Sequence, residues 1–351
     1  MALELTHEQE QLRDSVRAYL TKNADTKHTP WQGLIDLGLT EIPFPERFSG
    51  AGCTLKDTSV VMHELGRTIS DAPYFSSVCL AGLTLSECAS DAGRAAHLPA
   101  IATGKRTATL VAGYPYFDTP ITATATGDSG MILRGTEDFV VNGDSADLLV
   151  VVALGEKGLK LAVIDGAAPG VVRTPLESLD TTRPLTRIEF FDAHAQTVGD
   201  ANLDATLPRA QASALVALAS EQVGAAEACL EMSVEYAKTR EQFGRPIGSF
   251  QSIKHRLTDM LVALELAHAA VLDAANSDEK PTNELATAAS IAHLLASEAF
   301  TYATEESIQI HGGIGFTWEH PLHKYFRRAK SDTLLFGSTE THREVIAASV
   351  I

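Results

Sequence analysis

The sequence predicts an α+β protein of three domains: a helical domain at 1–105, a small β-sandwich or barrel at 106–207, and a four-helix bundle at 208–351. Two observations lead to this prediction. Apolar residues recur at helical spacing near both ends of the chain, and short β-branched runs separated by turn residues fill the middle. A chain of 351 residues is long enough to build several packed units.

The first domain opens on "LTHEQEQLRDSVRAYL", where Thr6 is the expected N-cap and Gln9 completes a capping box. Leu12, Val16 and Leu20 repeat every four residues and form one apolar stripe. Helical patterns recur in "TLKDTSVVMHELGRTI" and "PYFSSVCLAGLTLSECA". The first hundred residues therefore read as packed helices.

The middle domain is marked by runs such as "TATLVAG", "GMILRGTEDFVVNG", "DLLVVVAL" and "RIEFFDA". Turn residues interrupt these runs about every ten positions, which is typical of a small all-β sandwich or barrel. Beyond Pro208 the pattern is helical again, over 210–238, 249–276, 284–311 and a last segment after Thr339. Long helices joined by short connections favour an antiparallel bundle.

Charge and cysteine content exclude several classes of partner. The formal net charge is −17 and the isoelectric point is near 5.1, so nucleic acid and anionic membrane are not expected partners. The cysteines show no CxxC or metal-type spacing and suit reduced thiols in the cytoplasm. The charged, periodic start is not a signal peptide, and no long apolar run predicts a membrane span.

A first motif, "KTREQFGRPIGSFQSIKHRLTDM" at 238–260, joins two predicted helices. Arg240 ends one helix, and Gly244 breaks it. A guanidinium at such a turn can hold a phosphate through two hydrogen bonds, and Phe243 can pack on an aromatic ligand. Composition alone equally permits an ordinary helix–helix turn with a surface arginine.

A second motif, "QIHGGIGFTWEHPLHKYFRRAK" at 309–330, is rich in glycine. Gly312, Gly313 and Gly315 allow a close approach to the backbone. A helix precedes the motif rather than a strand, so it is not a Rossmann loop, and a glycine-rich helix end is the alternative. For the histidines of this segment we expect structural or surface roles: His311, His320 and His323.

These two motifs, in this order and spacing, resemble the acyl-CoA dehydrogenase family. The segments "PERFSGAG", "VMHELGRTI" and "NGDSADLLVVVA" resemble it too, so the likeness spans nearly the whole chain. It implies the three domains above, an FAD cofactor, a CoA-thioester ligand and assembly through the bundle. The positions that match the family's FAD contacts are Arg240, Phe243, Gln251, Gln309, Gly312, Gly313 and Thr339.

The resemblance breaks where the family carries its general base. The family's reaction removes an α-proton from an acyl-CoA with a carboxylate. One family position for that carboxylate is Gly337 here, in "LLFGSTETHRE", and the other is Ala214. The candidates for a relocated base are Glu221, about 10 Å further along the same helix face, and Glu340. The alternative for each is an ordinary surface or interhelical carboxylate.

The flavin-ring side also departs from the family. A loop resembling "TEPGAGSD" is missing, and the region reads "AGYPYFDTPITATATG", where Tyr114 and Tyr116 are candidates to fill the space. The strand resembling "WITNG" reads "FVVNG", with Phe139 for the Trp and Val141 for the Thr. Val141 therefore lacks the hydroxyl that the resemblance places at the flavin edge.

The sequence thus predicts a subunit that lacks its own base and completes the FAD site of a homologous catalytic chain in an α2β2 assembly. The partner would bind most of the acyl-CoA. The resemblance to bacterial sterol side-chain dehydrogenases makes a steroid-CoA substrate a hypothesis. Two alternatives stay open: a self-sufficient homo-oligomer with Glu221 or Glu340 as base, and a scaffold or regulatory protein without redox chemistry.

Overall fold

The protein is described by a computed structural model covering residues 5–23, 29–113, 119–126, 130–199 and 202–350. The N-terminal helices are α1 His7–Lys22, α2 Trp31–Asp36, α3 Leu55–Arg67, a π-helical segment Phe75–Gly82, α4 Leu83–Cys88 and α5 Asp91–Ala102, with 3-10 turns at Leu39–Glu41 and Glu46–Phe48. The predicted capping box of Thr6 and Gln9 is confirmed. Val16 and Leu20 are buried on the predicted stripe.

The β-domain closes into a small barrel. Its strands among the described residues are β1 Ala108–Val111, β2 Thr122–Thr126, β3 Gly130–Val141, β4 Leu148–Gly155, β5 Gly158–Asp165, β6 Val171–Leu176 and β7 Leu185–Gly199. The ladder runs β4-β2-β3-β7-β5 and returns to β4, while β1 pairs with β4 and β6 with β7. The predicted β-sandwich or barrel is confirmed as a barrel-like sheet.

The C-terminal domain is helical, as predicted. Its helices are α6 Leu203–Thr239, α7 Gln251–Ala275, α8 Thr282–His311, α9 Leu322–Asp332 and α10 Thr339–Val350, with 3-10 turns at Ile247–Ser249 and Gly312–Phe316. Helix α6 begins before Pro208, where the bundle was expected to start. Leu203 and Leu207 are buried, and their packing outweighs the backbone hydrogen bond that the proline removes.

Two glycines set the distance between the N-terminal domain and the bundle. A Cβ on Gly66 of α3 would stand 2.0 Å from the carbonyl oxygen of Glu221, and one on Gly224 of α6 would stand 2.0 Å from that of His63. The two helices therefore touch backbone to backbone at this crossing. One hydrophobic core runs through both helical domains and one face of the sheet, and a second fills the barrel.

Candidate functional site

The first motif forms an exposed hairpin at the end of α6. Glu241–Gln242 pairs with Arg245–Pro246, and Phe243 and Gly244 turn the chain with φ of 53° and 73°. This hairpin was not predicted, although two left-handed residues are what a two-residue turn requires. Arg245 stacks on Phe250 at 4.1 Å, which fixes the base of the hairpin.

The two predicted ligand residues of this hairpin face solvent. The guanidinium of Arg240 has no hydrogen-bonded partner among the described residues, and the Phe243 side chain is 92% exposed. An unpaired arginine beside an exposed aromatic ring is suited to bind a phosphate-bearing ligand. Gln251 is the first residue of α7 and is exposed nearby in sequence, with its amide 3.3 Å from His255.

The second motif leaves open backbone at the end of α8. Gly312 adopts φ +62° as the helix ends, and a Cβ built on Gly312 or Gly313 would meet nothing within 4 Å. Gln309 in the last turn is exposed. These residues can therefore approach a ligand closely, and the large exposed side chains Phe316 and Trp318 follow them.

His311 plays a structural role, as expected. Its ring is buried, stacks on Tyr236 at 4.3 Å and contacts the ring of His320 at 4.6 Å. His323 packs against Trp318. Among the described residues no group of three His, Cys, Asp or Glu side chains is arranged to hold a metal ion.

A cleft of about 550 Å³ lies between β3, the β6–β7 connection and the α9–α10 connection. Its volume is in the range of small-molecule sites. Val141 is buried in its wall, while Phe139 is 63% exposed at φ +62°, where β3 and β7 lose register. Tyr114 and Tyr116, expected to fill this space, lie outside the described residues.

The charged residues that line this cleft are mainly acidic. Glu137, Asp138 and Glu177 line it, against the single basic side chain Lys330 among its described lining residues. Burial raises the pKa of the Glu137 carboxyl to about 7, with a smaller contribution from Asp138, and Glu137 Oε2 is buried with no hydrogen-bonded partner among the described residues. Sequence reasoning missed Glu137, whose only signal is a carboxylate inside a strand.

Neither position predicted for the base carries a carboxylate. Gly337 is buried at φ +109°, and a Cβ there would stand 3.0 Å from Nε2 of His342. Ala214 is buried in α6. Glu340 is exposed in the first turn of α10, and Thr339 precedes it as the first residue of that helix.

Glu221, the other candidate base, is held in a buried ion-pair network. Its carboxylate accepts hydrogen bonds from Arg183 and, at 2.5 Å, from Arg328. Arg328 also bonds Asp180 at 2.6 Å, and Arg183 bonds Asp332 at 2.5 Å. All five side chains are almost fully buried. Both oxygens of Glu221 are therefore engaged by guanidinium groups, which leaves neither one directed at a substrate.

The network joins all three domains. Asp180 and Arg183 come from the β6–β7 connection, Glu221 from α6, and Arg328 from α9, with a further 3.4 Å bond from Arg328 to the Ser70 carbonyl. The desolvation penalty of burying these groups is offset because each one contacts a group of opposite charge.

Comparisons with known proteins identify the class. The profile "Acyl-CoA dehydrogenase, N-terminal domain" matches residues 6–105, and "Acyl-CoA dehydrogenase, C-terminal domain" matches residues 213–351. Acyl-CoA dehydrogenase IpdE2 of Mycobacterium tuberculosis is 35% identical over 95% of this chain and 89% of that protein. The IpdE2 of Mycolicibacterium smegmatis is 34% identical over 99% and 100%.

Solved structures support the same family assignment. The ChsE4-ChsE5 complex from Mycobacterium tuberculosis has a TM-score of 0.89 at 26% identity, covering 100% of this chain and 99% of that one. The Tcur3481-Tcur3483 steroid ACAD G363A variant has a TM-score of 0.87 at 27% identity, covering 98% and 97%. The fold is thus that of the flavin-dependent acyl-CoA dehydrogenases. This chain belongs to the acyl-CoA dehydrogenase family.

FAD is the cofactor of this family, and the described residues of this chain suit one part of the FAD molecule. Unpaired Arg240 suits the pyrophosphate, and the open backbone at Gly312 and Gly313 suits a close ligand contact. The cleft beside Val141 suits the flavin ring poorly, because Val141 offers no hydroxyl and Glu137 adds a carboxyl. No helix of the described residues is long and apolar enough to cross a membrane.

Proposed function

We propose that this chain is the non-catalytic subunit of a heteromeric acyl-CoA dehydrogenase and completes the FAD site of a homologous catalytic chain. Bound FAD supplies the hydride acceptor for α,β-dehydrogenation of the acyl-CoA. This chain contributes Arg240 to the pyrophosphate, Phe243 and the Gly312–Gly313 turn to neighbouring parts of the cofactor, and Gln251, Gln309 and Thr339 as polar contacts. The partner supplies the base and most of the acyl-CoA contacts.

The single observation that carries this proposal is the contrast between the residues at the C-terminal end of α6 and the two positions predicted for the base. The cofactor-side residues at its C-terminal end are exposed and unpaired, whereas the base positions Gly337 and Ala214 are buried and carry no carboxylate. Arg240 lies 26 residues beyond Ala214, about 39 Å of helix rise. Arg240 and Ala214 are therefore too far apart to act at one site, and only the predicted cofactor contacts retain side chains suited to their proposed role.

The acidic lining of the cleft beside Val141 supports the proposal that the two subunits have different roles in binding. Acyl-CoA carries several phosphate charges. Asp138 is paired with Arg187, so the repulsion of such a ligand at short range comes from Glu177 and from the ionised fraction of Glu137. The acyl-CoA is therefore expected mainly in the partner's pocket. The assembly is α2β2 with two FAD, located in the cytoplasm.

A steroid-CoA is the proposed substrate, on the likeness to the Tcur3481-Tcur3483 steroid ACAD. Turnover tests this directly. The co-purified complex should oxidise steroid side-chain CoA esters faster than short straight-chain acyl-CoA. A preference for the straight-chain esters would remove the steroid assignment without affecting the subunit role.

The subunit role is tested by a flavin count with native mass, on the chain alone and co-expressed with a homologous dehydrogenase chain. We expect a flavin-free lone chain and a heterotetramer with two FAD. Arg240→Ala should weaken FAD binding by the complex at least about tenfold, since it removes a charge-assisted contact. Arg343→Ala is the matched control, because Arg343 is exposed on α10 and pairs with Glu298.

Two results would contradict the proposal. One FAD per chain in a lone homo-oligomer would show a self-sufficient enzyme. Absence of FAD even beside the partner, with no effect of Arg240→Ala, would favour the scaffold or regulatory alternative.

Glu137 gives the self-sufficient alternative its best base. It lines the cleft, its buried Oε2 lacks a described partner, and its raised pKa of about 7 suits proton transfer near neutral pH. This second candidate predicts that the lone chain binds flavin and bleaches with an acyl-CoA. Glu137→Gln should then abolish bleaching while flavin stays bound.

A further inference from the structure

The segment that follows the glycine turn of the second motif exposes three large apolar side chains. Ile314 is 45% exposed, Phe316 82% and Trp318 74%. They lie on the 3-10 turn Gly312–Phe316 and on the chain just beyond it. Single exposed apolar residues are common on protein surfaces, whereas several close together mark a place where another molecule binds. Ile314, Phe316 and Trp318 are called the apolar patch below.

The largest side chain of the apolar patch is held in position despite its exposure. The guanidinium of Arg327 lies 4.2 Å from the centroid of the Trp318 ring, which is a cation–π contact. The His323 ring packs against the same indole in a T-shaped arrangement, with ring centroids 4.9 Å apart. The hydroxyl of Thr317 donates to the carbonyl of Ile314 at 2.8 Å, which closes the turn. A ring that is already positioned loses little conformational freedom when a partner covers it.

The apolar patch is continuous with the residues proposed to contact FAD. It begins directly after Gly313. His311, which precedes the glycine turn, stacks on Tyr236 at 4.3 Å, and the amide of Arg240 donates to the carbonyl of Tyr236 at 2.8 Å. The glycine turn and the hairpin that begins at Arg240 therefore belong to the same end of the bundle. A second chain that supplies the rest of an FAD site at this end approaches the apolar patch as well.

The charged groups beside the apolar patch indicate what a partner surface must offer. Lys324 is exposed and Arg327 is partly buried, and neither forms an ion pair with a described residue. Glu319 is the exposed acidic residue next to Trp318. A surface that covers the patch therefore needs an apolar recess for the two aromatic rings and a carboxylate within reach of Lys324 or Arg327.

We propose that the apolar patch is a docking site for the homologous catalytic chain, with Phe316 and Trp318 as its main anchors. The inference rests on the proposed function, because this partner is the chain whose FAD the subunit contacts. Large aromatic residues and arginine contribute most of the binding free energy at protein interfaces. A second copy of this chain is a poorer occupant, because a two-fold contact centred on the patch brings Lys324 and Arg327 close to the same cations.

Dilution of the co-purified complex tests the proposal, with FAD in excess so that weakened cofactor binding does not limit assembly. Native mass gives the concentration at which the subunits separate. Trp318→Ser and Phe316→Ser should each raise that concentration at least about tenfold. Phe191→Ser is the matched control, because Phe191 is 61% exposed on β7 of the barrel, and it should leave assembly within about twofold. Melting curves verify that the variants fold.

A spectroscopic measurement locates the contact independently. The chain contains two tryptophans, Trp31 and Trp318, and both are replaced by 5-fluorotryptophan in this subunit alone. The fluorine resonance that disappears in Trp318→Phe reports on the patch. We expect this resonance to shift between the lone chain and the complex with an unlabelled partner, because the indole leaves water for an apolar recess.

The outcomes separate the docking site from the subunit role. A heteromer with two FAD whose assembly is unaffected by Trp318→Ser and Phe316→Ser would overturn the docking site and leave the proposed function intact. An equal loss in Phe191→Ser, or a Trp318 resonance that shifts on self-association of the lone chain, would also refute it. Failure of the natural chain to assemble with a homologous dehydrogenase chain would overturn both proposals.

Discussion

Nε2 of His342 lies 3.0 Å from the point where a Cβ on Gly337 would stand. Gly337 also has φ +109°, a conformation that side-chain-bearing residues rarely adopt. The segment that carries the base in the family is therefore shaped here around a glycine and a histidine ring. A carboxylate at 337 is absent from the sequence and is also disfavoured by the backbone.

Gly337→Glu should consequently not create an active base. We expect a loss of about 1–3 kcal/mol in the free energy of unfolding, from backbone strain and the contact with His342. Gly337→Ala introduces the same strain without the carboxylate and should destabilise to a similar degree. Urea unfolding and turnover of the complex are the measurements. A Gly337→Glu chain of unchanged stability with increased turnover would show that the segment still accepts a base.

Glu221→Gln distinguishes a structural carboxylate from a relocated base. The substitution weakens the buried hydrogen bonds from Arg183 and Arg328, while Asp332 and Asp180 still match the two cations, so we expect the free energy of unfolding to fall by about 2 kcal/mol. Glu340→Gln, at an exposed position, should change stability by less than about 0.5 kcal/mol. Unfolding curves and turnover are measured on both variants. An intact fold with abolished turnover in either one would identify that residue as the base.

The sequence predicted local features well and long-range ones poorly. The capping box of Thr6 and Gln9 depends on four neighbouring residues, and it is confirmed. The network of Arg183, Glu221 and Arg328 joins residues up to about 150 positions apart, and no local spacing encodes it. A carboxylate in an Ala-rich apolar stretch was the available signal, and it was interpreted as a possible base or a surface residue.

In the candidate site, too, local features could be predicted from the sequence and long-range ones could not. The exposed positions of Arg240 and Phe243 follow from a helix end and a glycine turn, which one sequence reveals. The raised pKa of Glu137 depends on burial against segments that are distant in the chain, so it required the folded structure. The roles of the predicted FAD contacts stay predictions until binding is measured.

Asp332→Asn should change how stability depends on pH. Burial raises the pKa of Asp332 to about 7. The neighbouring carboxylates of Glu221 and Asp180 act in the same direction, while Arg183 and Arg328 oppose the shift. Unfolded Asp ionises near pH 4, so between about pH 4 and 7 the folded state holds the extra proton. Stability contributed by this proton is therefore lost as pH rises through that window.

The variant carries no ionisable group at 332 and should lack this loss. The measurement is the free energy of unfolding of both proteins at pH 5, 6, 7 and 8. The difference between them isolates Asp332 from Glu137, which shifts in the same direction. We expect Asp332→Asn to gain on the natural chain as pH rises. A constant difference would mean that Asp332 is ionised throughout.

Gly224→Ala tests the contact that positions Glu221 beneath the N-terminal domain. The added Cβ would meet the backbone oxygen of His63 at 2.0 Å, and backbone cannot rotate away as a flexible side chain can. Helices α3 and α6 must then separate, so we expect a loss of about 3 kcal/mol or more in the free energy of unfolding. Gly313→Ala is the matched control, because its Cβ enters open space, and it should cost little. The free energy of unfolding of both variants is measured in urea. Equal values for the two variants would show that the two helices are not held at backbone contact.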